Sequence, residues 1–204
     1  DLYQRKTILG ASSYVIDRVD VEFVNSNENI EIVTSEPNED VSNYYRFDKE
    51  NKGCTAQKFA QVTYKNMYPN IDVVFKNDPA THALKYDFIL HPGADIRSIQ
   101  LRYKGVQKAQ ISDGMFTMIA GEKTFSESIP MSWYKEDGTA IKMDFKLLSR
   151  QENSVELGFS SQENLNPSKT LIIDPIPSLL WAKYIGDSLN TSTKGVITDR
   201  FGYI

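Results

Sequence analysis

Through the middle of the chain, apolar and polar residues alternate with a period of two. Ile71, Val73 and Phe75 alternate with Asp72 and Val74. Leu84, Tyr86, Phe88 and Leu90 alternate with Lys85, Asp87 and Ile89, and Ile99, Leu101 and Tyr103 with Gln100, Arg102 and Lys104. Successive side chains of a strand point to opposite faces, so this pattern predicts three consecutive strands with the first-named sets on one buried face. Between the second and third, His91-Pro92-Gly93-Ala94 has the chemistry of a type II turn. Pro92 presets φ at the first central position and Gly93 supplies the positive φ required at the next. Asp95 is then placed to cap a short turn over 96–98 by accepting a backbone N–H.

The same period recurs on both sides. Val19, Val21 and Phe23 form one strand, residues 30–33 a short second, and Ala60, Val62 and Tyr64 line a third. Residues 106–111 and 115–119 flank Ser112-Asp113-Gly114, a hairpin signal because Asp-Gly tolerates positive φ. Residues 123–127 and 131–134 read as two strands separated by Pro130. Ile141, Met143, Phe145 and Leu147 form another, as do Val155, Leu157 and Phe159, and then residues 171–173. Residues 1–13 show no clear period, residues 35–40 read as a loop, and residues 44–47 as a strand or an anchored loop. Asp174-Pro175 is expected to end the pairing, since proline cannot donate to a ladder. No segment of helical length carries a 3.6-residue stripe. The chain is therefore expected to be all-β, an antiparallel β-sandwich with little helix over residues 1–177. One sandwich, or two packed lobes with a seam at Lys104–Gly105, both fit the pattern.

The 204 residues suffice for a sizeable core without a disulfide or metal, and the single cysteine, Cys54, excludes an internal disulfide. A net charge of −4 with interspersed signs argues against a nucleic-acid partner. No apolar run approaches the ~20 residues that span a bilayer. The chain begins at Asp1 without an initiator methionine or signal peptide and stops in the apolar pattern of Phe201 to Ile204, so both ends read as cut.

Candidate chemistry is sparse. Asp72, Asp87 and Asp95 all fall at the rim of the central strands, where oxygen ligands would suit Ca²⁺. The competing expectation is that Asp72 and Asp87 pair with lysine or arginine on neighbouring strands while Asp95 caps. The two histidines, His82 and His91, stand at opposite ends of one strand, too far apart to share a metal. Ser126, Ser128 and Ser132 lack the G-x-S-x-G context of a nucleophile, and Cys54 has no adjacent histidine. A glycan hydrolase would need two carboxylates ~5–9.5 Å apart, which a linear sequence does not pair. Most tyrosines sit at core positions of the alternation. Trp133 and Tyr134 differ, because adjacent strand residues face opposite ways, so one of the two faces out and offers a stacking surface for a glycan or protein.

Several separated motifs carry a family resemblance. Residues 68–75 (YPNIDVVF), 84–88 (LKYDF), Pro92-Gly93-Ala94-Asp95, Asp113-Gly114, Ile129-Pro130 and 171–175 (LIIDP) resemble, in order, a bacterial extracellular domain of unknown function that precedes SBBP β-propeller repeats. The tail from Trp181 to Gly186, then Asp199 to Ile204, resembles the start of the first repeat, so residues 178–204 are expected to open a truncated propeller-type module. Gly186-Asp187 departs from the usual glycine pair of that repeat. The resemblance implies a secreted or cell-surface protein with further repeats downstream, and it brings no catalytic residues. The leading expectation is a non-catalytic structural or interaction module. A carbohydrate- or protein-binding domain using an exposed aromatic patch is the alternative, and a hydrolase with a carboxylate pair stands third.

Overall fold

The computed structural model describes residues 3–8, 11–16, 18–44, 54–77 and 84–177, nearly all of them strand or turn. β1 (Tyr3–Ile8) and β2 (Ala11–Ile16) make a two-stranded hairpin. A four-stranded sheet runs in the order β13 (Met143–Gln151), β14 (Ser154–Ser161), β8 (Leu101–Lys104) and β3 (Asp20–Phe23). The nine-stranded sheet begins with β4 (Glu31–Tyr44), β5 (Cys54–Tyr68), β6 (Ile71–Asn77) and β7 (Leu84–Leu90). It continues through β15 (Leu171–Pro177), β11 (Lys123–Tyr134), β10 (Met115–Ala120) and β9 (Lys108–Ser112), with β12 (Ala140–Ile141) paired to the far end of β11. Neighbouring strands are antiparallel throughout, and the one helical element described is a single 3₁₀ turn, Ile96–Ser98.

The two larger sheets close on a common core, which makes the fold a sandwich. Ile71, Val73, Phe88 and Leu90 from the large sheet meet Leu101, Tyr103, Val155, Leu157 and Phe159 from the small one, all of them buried. Aromatic rings bridge the layers: Phe88 meets Phe159 with centroids 5.4 Å apart, and Phe116 meets Tyr103 at 5.2 Å, both edge to face. Edge-to-face contact sets the positive rim of one ring against the negative face of the other, so these pairs fix orientation as well as burying area. At Gly105 the chain leaves the small sheet for the large one. Its φ is +86°, and a Cβ there would stand 2.3 Å from the Arg18 carbonyl oxygen, so only glycine passes.

Three local expectations need correction. Residues 35–40 are strand, not loop: β5 is long enough to pair with them, and the register shift between Pro37 and Val41 on the sheet's edge strand absorbs the missing proline donor. Residues 123–134 form one strand, and the ladder does not stop at Asp174-Pro175. Met131 pairs with Asp174 and Ser128 with Ile176, so β11 carries one extra residue there and Pro175 lies opposite the bulge at 129–130. The two prolines share the irregular part of the ladder, where missing donors cost least. Third, residues 3–8 and 11–13, within a stretch that lacks a visible period, pair as part of the β1–β2 hairpin. The expected repeat start at 178–204 lies outside the described residues, as do His82 and residues 45–47.

Candidate functional site

The period-two reading assigns Asp72, Asp87 and Ile89 to the outer face of the large sheet, and that face proves to be the more informative one. Register places Asp72 beside Ile89, Ile89 beside Ile172, Ile172 beside Trp133 and Trp133 beside Ala140, a single row crossing five strands. Directly paired side chains on one face stand ~4.5–5.5 Å apart, so Ile89, Ile172 and Trp133 form a contiguous apolar strip. All three are half-buried, and Met131, the outer residue one step along β11, is 66% exposed. Tyr134 faces the other way. It is buried, its hydroxyl accepts the Asn166 N–H at 2.6 Å, and Lys169 Nζ sits 5.1 Å from its ring centroid. Of the two aromatics singled out in the sequence, only Trp133 is available at the surface.

Beside the strip lie buried carboxylates held by cations. Asp72 accepts from Lys65 Nζ and from the Asn66 N–H, each at 2.8 Å, and its Oδ2 is 2.9 Å from His91 Nε2. Burial alone would raise its pKa, but these donors outweigh burial and hold the carboxyl below its ordinary value. On the adjacent strand Asp87 pairs with Lys76, while Lys85 Nζ lies 3.2 Å from Asp174 Oδ1. Asp87 titrates above the ordinary range because burial and the nearby Asp174 outweigh the pull of Lys76. Its Oδ1 is buried and accepts no hydrogen bond among the described residues.

The sheet's inner face holds a carboxylate of another kind. Glu127 accepts from the Tyr86 hydroxyl and the Tyr103 hydroxyl, each at 2.9 Å, among core residues, and among the described residues no cation stands beside it. Burial pushes its pKa up and the two hydroxyls offset this only in part. The same burial, with Glu127's charge adding to it, drives both tyrosines well above their usual value. Nothing in the sequence singles out Glu127, since a lone glutamate at an inner position of an alternating strand reads as a misplaced polar residue. Its partners lie 41 and 24 residues away.

The structure does not bring Asp95 to the other two aspartates. Asp95 caps the 3₁₀ turn, accepting from Arg97 N at 2.9 Å, and its side chain pairs with the Arg97 guanidinium. The preceding corner closes through Ala94 N–H to His91 O at 3.0 Å with Gly93 at φ +81°, Pro92 being exposed. Among the described residues, no group of three or more histidine, cysteine or carboxylate side chains is gathered as a metal site would need. Each aspartate proposed from the sequence for Ca²⁺ instead has a cationic partner. Nor does any described helix have the length and apolarity to cross a membrane.

No curated protein and no solved structure matches the chain. A family model does, that of a domain of unknown function, DUF7948, over residues 3–176. The match takes in both sheets, the outer strip and the buried Glu127 cluster, and by it the chain belongs to the DUF7948 family.

Proposed function

We propose that this domain is a non-catalytic interaction module, and that it makes contact through the outer face of its large sheet around Trp133. The observation that carries the reading is the registered strip Ile89–Ile172–Trp133 with exposed Met131 at its side. A flat sheet face bearing an indole, two branched aliphatics and a thioether, bordered by fixed charges, suits a partner that lays an apolar surface on it while polar groups reach the rim. The acid–base groups around it are engaged in ion pairs or enclosed in the core, where they hold the sheet together. Together with the resemblance to extracellular domains ahead of propeller repeats, this supports a module displayed on a secreted or cell-surface protein. Its partners would be a surface glycan or protein, and the repeats that follow it in the same chain.

Arrays of immobilised glycans and of cell-surface polypeptides, probed with the wild type and with Trp133→Ala, test this directly. Trp133→Ala is expected to weaken a hit about tenfold or more, as truncation of a central aromatic contact does. Binding that survives Trp133→Ala and Ile172→Ser at wild-type strength would remove the strip as the contact surface.

A further inference from the structure

The four-stranded sheet stops short of the nine-stranded sheet on one side. Its edge strand β3 lies over β6 and β7, where the Phe23 ring stands 6.3 Å from those of both Phe75 and Phe88, and β4 and β5 lie beyond it. Ile32 pairs with Tyr64 and Tyr64 with Val73, so all three share the inner face, yet Ile32 is 57% exposed while Val73 is buried. Val21 in β3, opposite the buried Tyr103, is 45% exposed at the same step. The step also leaves backbone groups open. The Val24 N–H donates to Gln100 O at 2.8 Å, and bonding alternates along an antiparallel ladder. Asp20 and Glu22 therefore face β8, while Val21 and Phe23 turn their N–H and C=O to the free edge. Such an edge is an acceptor for another strand.

Among the described strands only β1 and β2 pair with neither larger sheet, and residues 17–19 alone separate β2 from β3. A two-stranded hairpin is marginal in water by itself. The phase of this one fits the open edge. Ile8 pairs with Ala11 across a two-residue connection, and such a connection closes on a hydrogen-bonded pair. Ala11, Ser13 and Val15 then bond to β1, and Tyr14 and Ile16 present their N–H and C=O on the other side. With β2 antiparallel to β3 and 17–20 as the turn, Ile16 comes opposite Val21 and Tyr14 opposite Phe23, bonding position to bonding position. That register gives the inner face the positions of Tyr3, Tyr14 and Ile16 with Arg5, and the outer face three polar residues with Val15. β1 would run across β4, and their charges are complementary. β1 carries Arg5 and Lys6 and no acid, while β4 carries Glu31, Glu36, Glu39 and Asp40 and no base. A second copy fits less well. Antiparallel pairing of β3 with itself, in either register that joins its open groups over more than one residue, sets Glu22 opposite Glu22 or Asp20 of the other copy. We infer that the N-terminal hairpin is a strap that docks on the free edge of β3, extends the small sheet by two strands and closes the sandwich over Ile32, Val62 and Tyr64. It keeps that edge from foreign strands, and the inference is independent of the strip around Trp133.

Amide hydrogen exchange on the full chain reads this edge residue by residue. The Val21 and Phe23 amides should exchange at least about tenfold more slowly than in an unstructured chain. Tyr14→Pro removes the N–H that meets Phe23 and should speed both amides about tenfold, with Phe88 and Tyr103 still protected to report an intact sandwich. Disulfide formation supplies a second reading, in a Cys54→Ser background. Val15→Cys/Glu22→Cys should oxidise readily, since facing residues at a non-hydrogen-bonded position stand ~4.5 Å apart. Gln4→Cys/Glu22→Cys, one strand farther away at ~10 Å, should stay reduced. Unprotected Val21 and Phe23 amides in the wild type overturn the inference, as does protection that survives Tyr14→Pro or equal yields of the two disulfides. Protection that fades on dilution also overturns it, because the edge is then covered by a second copy.

Discussion

The two faces of the large sheet both bury carboxylates, and they do so by opposite means. On the outer face Asp72, Asp87 and Asp174 are matched with Lys65, Lys76 and Lys85, with His91 also at Asp72, and the Lys65 and Lys76 side chains stay partly in water. On the inner face Glu127 has no cation beside it among the described residues and is held by two neutral hydroxyls from Tyr86 and Tyr103. Partner chemistry, not burial alone, then decides the charge: Asp72 titrates low and Glu127 titrates high. Lys65 and Lys76 can be recruited on the outer face because their charged ends need not be fully desolvated. Between the sheets a lysine would cost several kcal/mol to bury, and a tyrosine brings a donor on a ring that also fills the core.

The sharpest contrast should appear in apolar truncations. Phe88→Ala, on the inner face between Phe159 and Phe23, is expected to cost ~3–5 kcal/mol in denaturant unfolding. Ile89→Ala, its half-buried neighbour on the outer face, should cost about 1 kcal/mol, the transfer energy of the carbons it removes from partial cover. Equal losses would mean that both faces are cores.

Next in size is the loss of a donor to Glu127. Tyr103→Phe should destabilise by ~1–3 kcal/mol, because it strips one of two hydrogen bonds from an enclosed carboxyl, and Tyr103→Phe/Glu127→Leu should recover part of that. Chemical denaturation of the two variants side by side measures the difference.

The pH dependence separates the faces by sign. Glu127 binds its proton more tightly folded than unfolded, so its contribution is complete below the ordinary value of 4.5 and declines as pH rises through the folded value. Asp87, also raised, acts in the same direction from 3.8 upward. Asp72 is depressed, so its contribution is present above 3.8 and is lost as pH falls through its folded value. Melting curves of Glu127→Gln should therefore lose a decline in stability above pH 4.5. Those of Asp72→Asn should show a deficit of ~1 kcal/mol at neutral pH, limited because Lys65 and His91 are both partly in water, that vanishes in strong acid. A deficit that persists unchanged at low pH would show that Asp72 contributes by packing and not by charge.

The smallest effect expected is a gain. Ser132→Ala removes an unpaired enclosed hydroxyl and should leave stability unchanged or raise it by up to ~1 kcal/mol, read as a rise in melting temperature. A clear loss would mean that Ser132 Oγ is satisfied within the fold.

Much of this architecture was legible in a period of two, because alternation is a direct image of which face a strand buries. Phe88, Tyr103, Val155 and Phe159 lie where that pattern puts them, and Asp72 and Asp87 have lysine partners on adjoining strands. The pairing of Trp133 with Tyr134 correctly implied that one of them faces out. The pattern did not show which, because that depends on the phase of β11 after its bulge, and an inserted residue leaves no mark in hydrophobicity. Residues 35–40 looked like a loop because proline and charges are also what an edge strand uses to protect itself.

By itself, then, the sequence determined the class of fold, the turn at Pro92-Gly93, the cap at Asp95 and the polarity of each strand face, since all of these follow from neighbours within a few residues. Tertiary structure alone decided that Asp87 lies beside Asp174, that Glu127 meets two tyrosines and that Ser132 pairs with Ile141. Those contacts join residues from 9 to 87 positions apart, and strand order and register, which no local pattern encodes, are what bring them within a hydrogen bond's length.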